Sequence, residues 1–279
     1  MAAEFVRLQV FARDGRKSRS RVELRGVQVE RMYHEMTELY VIPVTKAILD
    51  SMPEDVRVFF VQAGRLHNEA MWLQKLILAS QQHETTNEIL TGMQTYQALM
   101  LTRLLAGKLW EGWDLLNRSY FGAKLSRHYE QRLPTVGQEA IAALKKYFGK
   151  KGLMQDVRNN FAFHYSPERI RAILTDLEEP GLKIYLSEQS GNTFFQFSET
   201  IVNIAMLEGI QKGDYKAALD KLMNQVGDVA RDFVTFCDAW IGLVLQEYFP
   251  EITDLDKLEK VTLSDLPKIE DIGLNYFIS

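Results

Sequence analysis

The chain has 279 residues, of which 46% are hydrophobic and 25% are charged, and its formal net charge is −4. This length allows one large domain or two small ones, and the hydrophobic content is ample for a buried core. The single cysteine, Cys237, excludes an intrachain disulfide and a zinc site built from several thiolates, and it favours a reducing compartment.

Neither a secretory signal nor a membrane span is expected. The first residues lack a basic region followed by an apolar run. The most apolar helical stretch, residues 233–249, contains Asp238, Gln246 and Glu247, which do not suit a membrane interior. The sequence therefore predicts a cytoplasmic protein that makes no use of a membrane.

Residues 1–50 are predicted to form an N-terminal extension. Apolar alternation from Phe5 to Phe11, a turn near Gly15 and a returning stretch at 20–29 are typical of a hairpin, although a mobile arm is the alternative. Residues 29–50 are predicted to be helical, with an interruption at Pro43. The extension contains a basic cluster that either contacts nucleic acid or forms an exposed loop: Arg13, Arg16, Lys17, Arg19, Arg21 and Arg25.

Two long helices follow, at about residues 54–82 and 88–117. Ser51 and Pro53 are a helix-start signal, and the first helix has one apolar stripe: Phe59, Ala63, Leu66, Ala70, Leu73 and Ile77. The short polar connection predicts an antiparallel pair. Gly107 and Gly112 lie inside the second helix, where small residues allow a neighbouring helix to approach closely.

The remaining helices are predicted at 135–148, 153–160, 166–177, 198–212 and 213–249. Residues 182–187 and 193–197 flank a Gly-Asn turn and predict a β-hairpin. Residues 250–279 form a predicted acidic tail. The expected fold is all-α, an antiparallel helical bundle at 51–249 with a small β-hairpin insertion.

Charge is distributed unevenly along the chain. Residues 118–158 contain nine lysines and arginines but three acids, so this segment is +6 while the remainder is −10. A basic segment of this kind suits a polyanion-binding surface, and the alternative is a set of solvated helix faces.

Several kinds of site are excluded by missing motifs. No histidine has a glutamate three residues before it, as a di-iron bundle requires, and no nucleophile elbow, phosphate loop or dinucleotide fingerprint is present. We therefore expect neither a metal nor another cofactor.

The candidate site is a short stretch at residues 158–164. Histidine can both accept and donate a proton near neutral pH, and arginine forks onto phosphate oxygens, so His164 and Arg158 suit phosphodiester chemistry, with Asn159 as a polar partner. Their neighbours, which we consider candidate substrate-binding residues, are Lys150, Lys151, Asn160 and Tyr165. Alternatively, Arg158 forms a structural ion pair and His164 caps a helix or fills a buried polar site.

Helix geometry constrains how Arg158 and His164 can meet. Six residues advance an ideal helix by about 600°, which is 240° net, so a straight helix would hold the two side chains apart. We therefore expect a helix break near residues 161–163, or a pair completed by a second subunit.

The segment Arg158-Asn159-Asn160-Phe161-Ala162-Phe163-His164 resembles the signature of the HEPN superfamily. That signature is an arginine, then four to six residues of which the first is often Asn, Asp or His, and then a histidine. The two long helices before it and the long helix after it resemble the family pattern over about residues 54–249. The resemblance is to toxin and abortive-infection members.

This resemblance implies a homodimer in which two motifs face a shared cleft and cut RNA without a metal through attack by the 2′-hydroxyl, in stress or phage defence. By position, Arg158 would bind and stabilise the scissile phosphate, and His164 would act in acid–base catalysis. Asn159 would orient or polarise the reacting groups. An antitoxin or another regulatory protein would be a further partner. The alternatives are a non-catalytic helical module that binds a protein or nucleotide, and a nucleic-acid-binding protein that uses the N-terminal arginines.

Overall fold

A computed structural model of the protein describes residues 37–81, 85–164, 166–175, 177, 181–249, 252, 258–264, 266–267 and 271–278. The predicted N-terminal hairpin or arm and its arginine cluster lie outside these residues. Within them the fold is all-α with one small antiparallel sheet, as the sequence predicts. Its α-helices, in chain order, are α1 Lys46–Ser51, α2 Glu54–Ala79, α3 Glu88–Leu115, α4 Leu125–Tyr129, α5 Thr135–Phe148, α6 Leu153–Val157, α7 Pro167–Thr175, α8 Gln196–Ile210 and α9 Tyr215–Tyr248.

Helices α2 and α3 form the predicted antiparallel pair. Leu66 of α2 packs against Gly112 of α3, and one turn further along α2 Glu69 forms an ion pair with Lys108 at 3.1 Å. A Cβ atom added at Gly112 would lie 2.8 Å from Leu66 Cδ1 and 3.4 Å from Phe233 Cε1, so the glycine lets α2 and α9 approach α3 closely. The prediction for Gly112 is therefore confirmed.

The core lies between α2, α3, α5 and α9 and is dense in aromatic rings. Phe59 stacks on Tyr120 with ring centroids 5.3 Å apart, and it meets Trp240 edge-on at 4.5 Å. On the other side of α9, Gly137 of α5 abuts Ala239. The apolar stripes read from the sequence thus face one another, which explains why α9 can remain helical over 34 residues.

Two of the described segments are π-helices, each continuing an α-helix, and short 3-10 helices lie at Glu130–Arg132 and Ser190–Asn192. The chain continues from α3 into a π-helix, Leu116–Phe121, and from α6 into another π-helix, Arg158–Ala162. In a π-helix each backbone N–H bonds five residues back instead of four, which changes the direction of the side chains that follow. The second π-helix contains most of the candidate motif.

The sheet is not formed by the residues that the hairpin prediction named. Its strands are β1 Thr37–Val41 and β2 Glu259–Leu263, which pair antiparallel. Residues 182–187 and 193–197 do meet where the hairpin was predicted, through an antiparallel bridge between Tyr185 and Phe194, but this pairing is too short to form regular strands. The helix predicted for 29–50 is wrong over 37–41 and correct over α1, because β1 is stabilised by a partner far away in sequence.

Residues 274–278 contact the helical region. Leu274 N donates to Ala79 O at 3.0 Å, and the Tyr276 hydroxyl donates to Thr193 O at 2.6 Å. The Tyr276 ring also meets Phe194 edge-on. These contacts connect the predicted acidic tail to the end of α2 and to the segment that precedes α8. The pairing of β2 with β1 also connects the tail to the N-terminal extension.

Candidate active site

Helix α6 and the π-helix that follows it present their polar residues outward. Met154, Val157 and Phe161 are spaced by three and four residues, and all three are buried in the core. This spacing fixes one face of the segment against the bundle. Arg158 and Asn159 are therefore held on the opposite, solvent-facing side.

The structure brings Arg158 and His164 together. Nη1 of Arg158 lies 3.4 Å from Nε2 of His164, and His164 is exposed to solvent. Arginine can only donate, so Nε2 of His164 is the acceptor in this contact. The sequence left His164 as a possible cap or buried polar residue, but its exposure argues against the buried position.

The helix break that the sequence predicted near 161–163 is confirmed and explains this contact. The π-helix ends at Ala162, and Phe163 leaves helical geometry with φ −121° and ψ −10°. The Ser166 amide then donates to Asn160 O at 3.4 Å, which closes the turn. Because the chain reverses here, His164 returns toward Arg158 instead of continuing around a straight helix.

Glu111 of α3 holds the Arg158 guanidinium from the other side. Oε1 of Glu111 accepts from Nε of Arg158 at 2.9 Å and lies 2.8 Å from Nη2. The two side chains are 40% and 31% exposed, so the pair is accessible to solvent. The structural ion pair that the sequence left open for Arg158 therefore exists, and it leaves Nη1 directed toward His164.

Sequence reasoning missed Glu111 altogether. It lies 47 residues before Arg158 and belongs to no motif. The available signal was its position four residues after Gly107 on α3, because residues spaced by four share a helix face. Gly107 contacts Phe163 and Ala162 of the motif, so that face of α3 is the one against which the motif packs.

Asn159 contacts the arginine. Its Oδ1 accepts from Arg158 Nη1 at 3.1 Å, and its side chain is exposed. Nη1 therefore lies between Asn159 and His164. This geometry suits an orienting residue that acts through Arg158.

The other candidate residues are placed differently. The Asn160 side-chain nitrogen donates to Asp156 O at 3.0 Å and to Asp156 Oδ1 at 2.9 Å, and the same carboxylate oxygen accepts from Arg169 at 3.2 Å. Lys150 and Lys151 are exposed before α6, at the opposite end of the α6–π-helix segment from His164. Tyr165 lies outside the described residues. Direct substrate contacts by these four residues stay predictions.

The basic segment is partly neutralised by neighbouring acids. Arg118, Arg132, Lys145 and Arg158 form ion pairs with Asp114, Glu247, Glu130 and Glu111, respectively. Five cations of the segment form no ion pair with a described residue: Lys124, Arg127, Lys146, Lys150 and Lys151. A polyanion-binding role for this segment stays a prediction.

The described residues contain no group of three or more His, Cys, Asp or Glu side chains arranged to hold a metal ion. Their helices include none with the length and hydropathy that crossing a membrane requires.

No protein-family model, characterised protein or solved structure matches this chain. The resemblance to the HEPN superfamily therefore rests on the motif at 158–164 and its helical surroundings.

Proposed function

We propose that the protein is a metal-independent endoribonuclease of the HEPN type. The observation that supports this most is the 3.4 Å contact between Arg158 and His164 on an accessible surface. It places a proton-transferring imidazole beside a fixed cation that prefers phosphate oxygens.

The proposed reaction breaks one P–O bond and forms another. The 2′-oxygen of a ribose attacks the adjacent phosphorus while a base removes its proton, and the 5′-oxygen leaves as an acid protonates it. The products are a 2′,3′-cyclic phosphate and a 5′-hydroxyl. His164 exchanges the proton, and Arg158 stabilises the charge that builds up on the phosphate oxygens in the transition state.

Asn159 and Glu111 act on this reaction through Arg158. Glu111 accepts from Nε and faces Nη2, and Asn159 accepts from Nη1, so three of the guanidinium's directions are fixed before RNA binds. Such preorganisation lowers the cost of reaching the transition state. We therefore regard both as positioning residues and not as groups that exchange protons.

The proposed working unit is a homodimer. Each motif supplies one histidine, whereas the reaction needs both a base and an acid, and the exposed pair leaves room for a second copy to face it. We propose that the dimer acts in the cytoplasm in stress or phage defence, with an antitoxin or regulatory protein as a partner. Sedimentation at micromolar concentration is expected to show two chains.

The decisive experiment compares RNA cleavage in excess EDTA by wild type, His164→Ala and Arg158→Ala. The chain offers a matched control, because His128 and Arg132 form another surface His–Arg contact at 2.8 Å outside the motif. We expect wild type and His128→Ala to cleave equally, and the two motif variants to be inactive.

Equal activity in all four proteins, or no cleavage of several RNA pools by folded, dimeric wild type, would contradict the proposal. The motif would then belong to a non-catalytic module that binds a protein or a nucleotide.

A further inference from the structure

Phe163 is an exposed aromatic residue next to His164 in the chain. It is 41% exposed, whereas Phe161, two residues earlier in the same segment, is 8% exposed. Phe163 precedes His164 in the chain, and successive Cα atoms lie about 3.8 Å apart. The cleavage chemistry proposed above gives this ring no role.

The ring meets α3 through its edge. A Cβ atom added at Gly107 would lie 2.6 Å from Phe163 Cε2 and 2.9 Å from Cζ, so these two atoms rest on the glycine backbone. The ring is therefore held at one edge, and the residue is still 41% exposed. Among the described residues, no aromatic ring pair includes Phe163.

We infer that Phe163 stacks on an unpaired RNA base next to the phosphate held by Arg158 and His164, and that it thereby selects single-stranded RNA. This inference rests on the proposed function and specifies its substrate. Every base has a π-face, so such stacking adds affinity without demanding a particular sequence. A base inside a duplex is covered on both faces by its neighbours, and it offers Phe163 no face.

A second copy of the chain is the competing occupant, since exposed aromatic rings also occur at protein interfaces. The surroundings favour RNA, because the neighbouring residue His164 contacts the Arg158 guanidinium and the cores of protein interfaces are depleted in charged residues. Loss of the dimer in Phe163→Leu would assign the ring to that interface instead.

The first test uses single-stranded oligonucleotides in which 2-aminopurine replaces one base at a time and 2′-O-methyl sugars prevent cleavage. Stacking quenches 2-aminopurine fluorescence, so we expect quenching at one position with wild type and with Phe163→Trp. Phe163→Leu keeps an apolar side chain but removes the aromatic face, and its quenching should be lost. Uniform or absent quenching with wild type would overturn the inference.

The matched control is Phe195→Leu. Phe195 is also an exposed phenylalanine, and the next residue, Gln196, bonds to Tyr96 of α3. Tyr96 and Gly107 are eleven residues apart, about 16 Å along the helix. We expect Phe195→Leu to quench 2-aminopurine fluorescence at the same position as the wild-type protein does.

The second test is steady-state cleavage of an unpaired RNA strand and of the same strand annealed to its complement. We expect Phe163→Leu to raise KM for the unpaired strand about tenfold, a loss typical of one stacked base, with a smaller change in kcat. Phe163→Trp should restore KM, and the duplex should be a poor substrate throughout.

The two proposals can fail separately. If the wild-type protein quenches 2-aminopurine fluorescence at one position but cleaves no RNA, the ribonuclease proposal is contradicted and the stacking proposal is retained. Cleavage with identical KM values in wild type and Phe163→Leu, or equal cleavage of unpaired and duplex RNA, would refute the stacking role and leave the ribonuclease.

Discussion

Glu111 sets the orientation of Arg158, and its charge competes with phosphate for the same guanidinium. We expect Glu111→Gln to lower kcat for RNA cleavage about tenfold without raising KM. The neutral amide holds the arginine less firmly, which slows the reaction, but it also competes less with the substrate. Steady-state kinetics separate the two effects.

Asp114→Asn is the control for this substitution, because Asp114 is another exposed carboxylate on α3 that pairs with an arginine, Arg118, at 2.7 Å. Both variants should change the free energy of unfolding by less than about 1 kcal/mol, the usual upper value for exposed ion pairs. A Glu111→Gln enzyme with wild-type kcat would refute the positioning role.

His67 connects α2 to α9 through Asp238, with Nε2 3.1 Å from the carboxylate. The hydrogen bond to Asp238 raises the pKa of His67. The stabilisation is therefore complete below the unfolded pKa of about 6.5 and is lost as pH rises through the folded value.

Substitution of His67 should therefore matter in acid only. We expect His67→Gln to lower the free energy of unfolding by up to about 1 kcal/mol near pH 5.5 and to have little effect near pH 9. Urea unfolding at both pH values measures this difference. A larger loss of unfolding free energy at the alkaline pH would contradict the raised pKa of His67.

Among the elements, the contact between α3 and the motif turn decides where His164 lies. Alanine at Gly107 would bring its Cβ atom within 3.0 Å of Ala162 Cβ and closer still to the Phe163 ring. We expect Gly107→Ala to reduce cleavage at least tenfold, because small displacements of catalytic groups are costly. Its stability should change little, since the gain in helix propensity offsets the strain of moving an exposed ring.

Two further glycines serve as controls for Gly107. A Cβ atom at Gly64 meets nothing within 4 Å, so Gly64→Ala should stabilise α2 by about 0.5–1 kcal/mol and leave cleavage unchanged. Gly112→Ala would strike Leu66 in the core and should lower stability. Thermal unfolding and a cleavage assay together distinguish the three glycine variants. Full activity in Gly107→Ala would contradict the claim that the contact between α3 and the motif turn positions His164.

For the whole molecule, the parts that sequence could predict are those with local signals. An apolar stripe predicted α2 because the helix must bury one face, and helix-start and helix-stop residues predicted the shorter helices. The π-helices were not predicted, since each spans about one turn, too short for apolar spacing to distinguish it from an α-helix. The sheet was missed because β1 and β2 become stable only together, and nothing local links them.

The candidate site, too, could be predicted from the sequence only where its residues lie close together in the chain. Arg158, Asn159 and His164 lie within seven residues, so their chemistry could be recognised together, and the angle between helix positions predicted the break that the structure contains. Glu111 depends on how α3 packs against the turn, which only the folded chain determines. The two lysines were chosen for closeness in sequence, yet α6 and the π-helix separate them from His164.

The most direct test of the central claim is the chemistry of the cut itself. Once a cleavage position is mapped with wild-type protein in EDTA, the same RNA is prepared with one 2′-deoxynucleotide immediately 5′ of that position. If His164 and Arg158 promote attack by the 2′-hydroxyl, the natural RNA yields a 2′,3′-cyclic phosphate and the deoxy substrate is not cut there. Cleavage of the deoxy substrate at the same position, or a product that ends in a 3′-hydroxyl, would contradict the account.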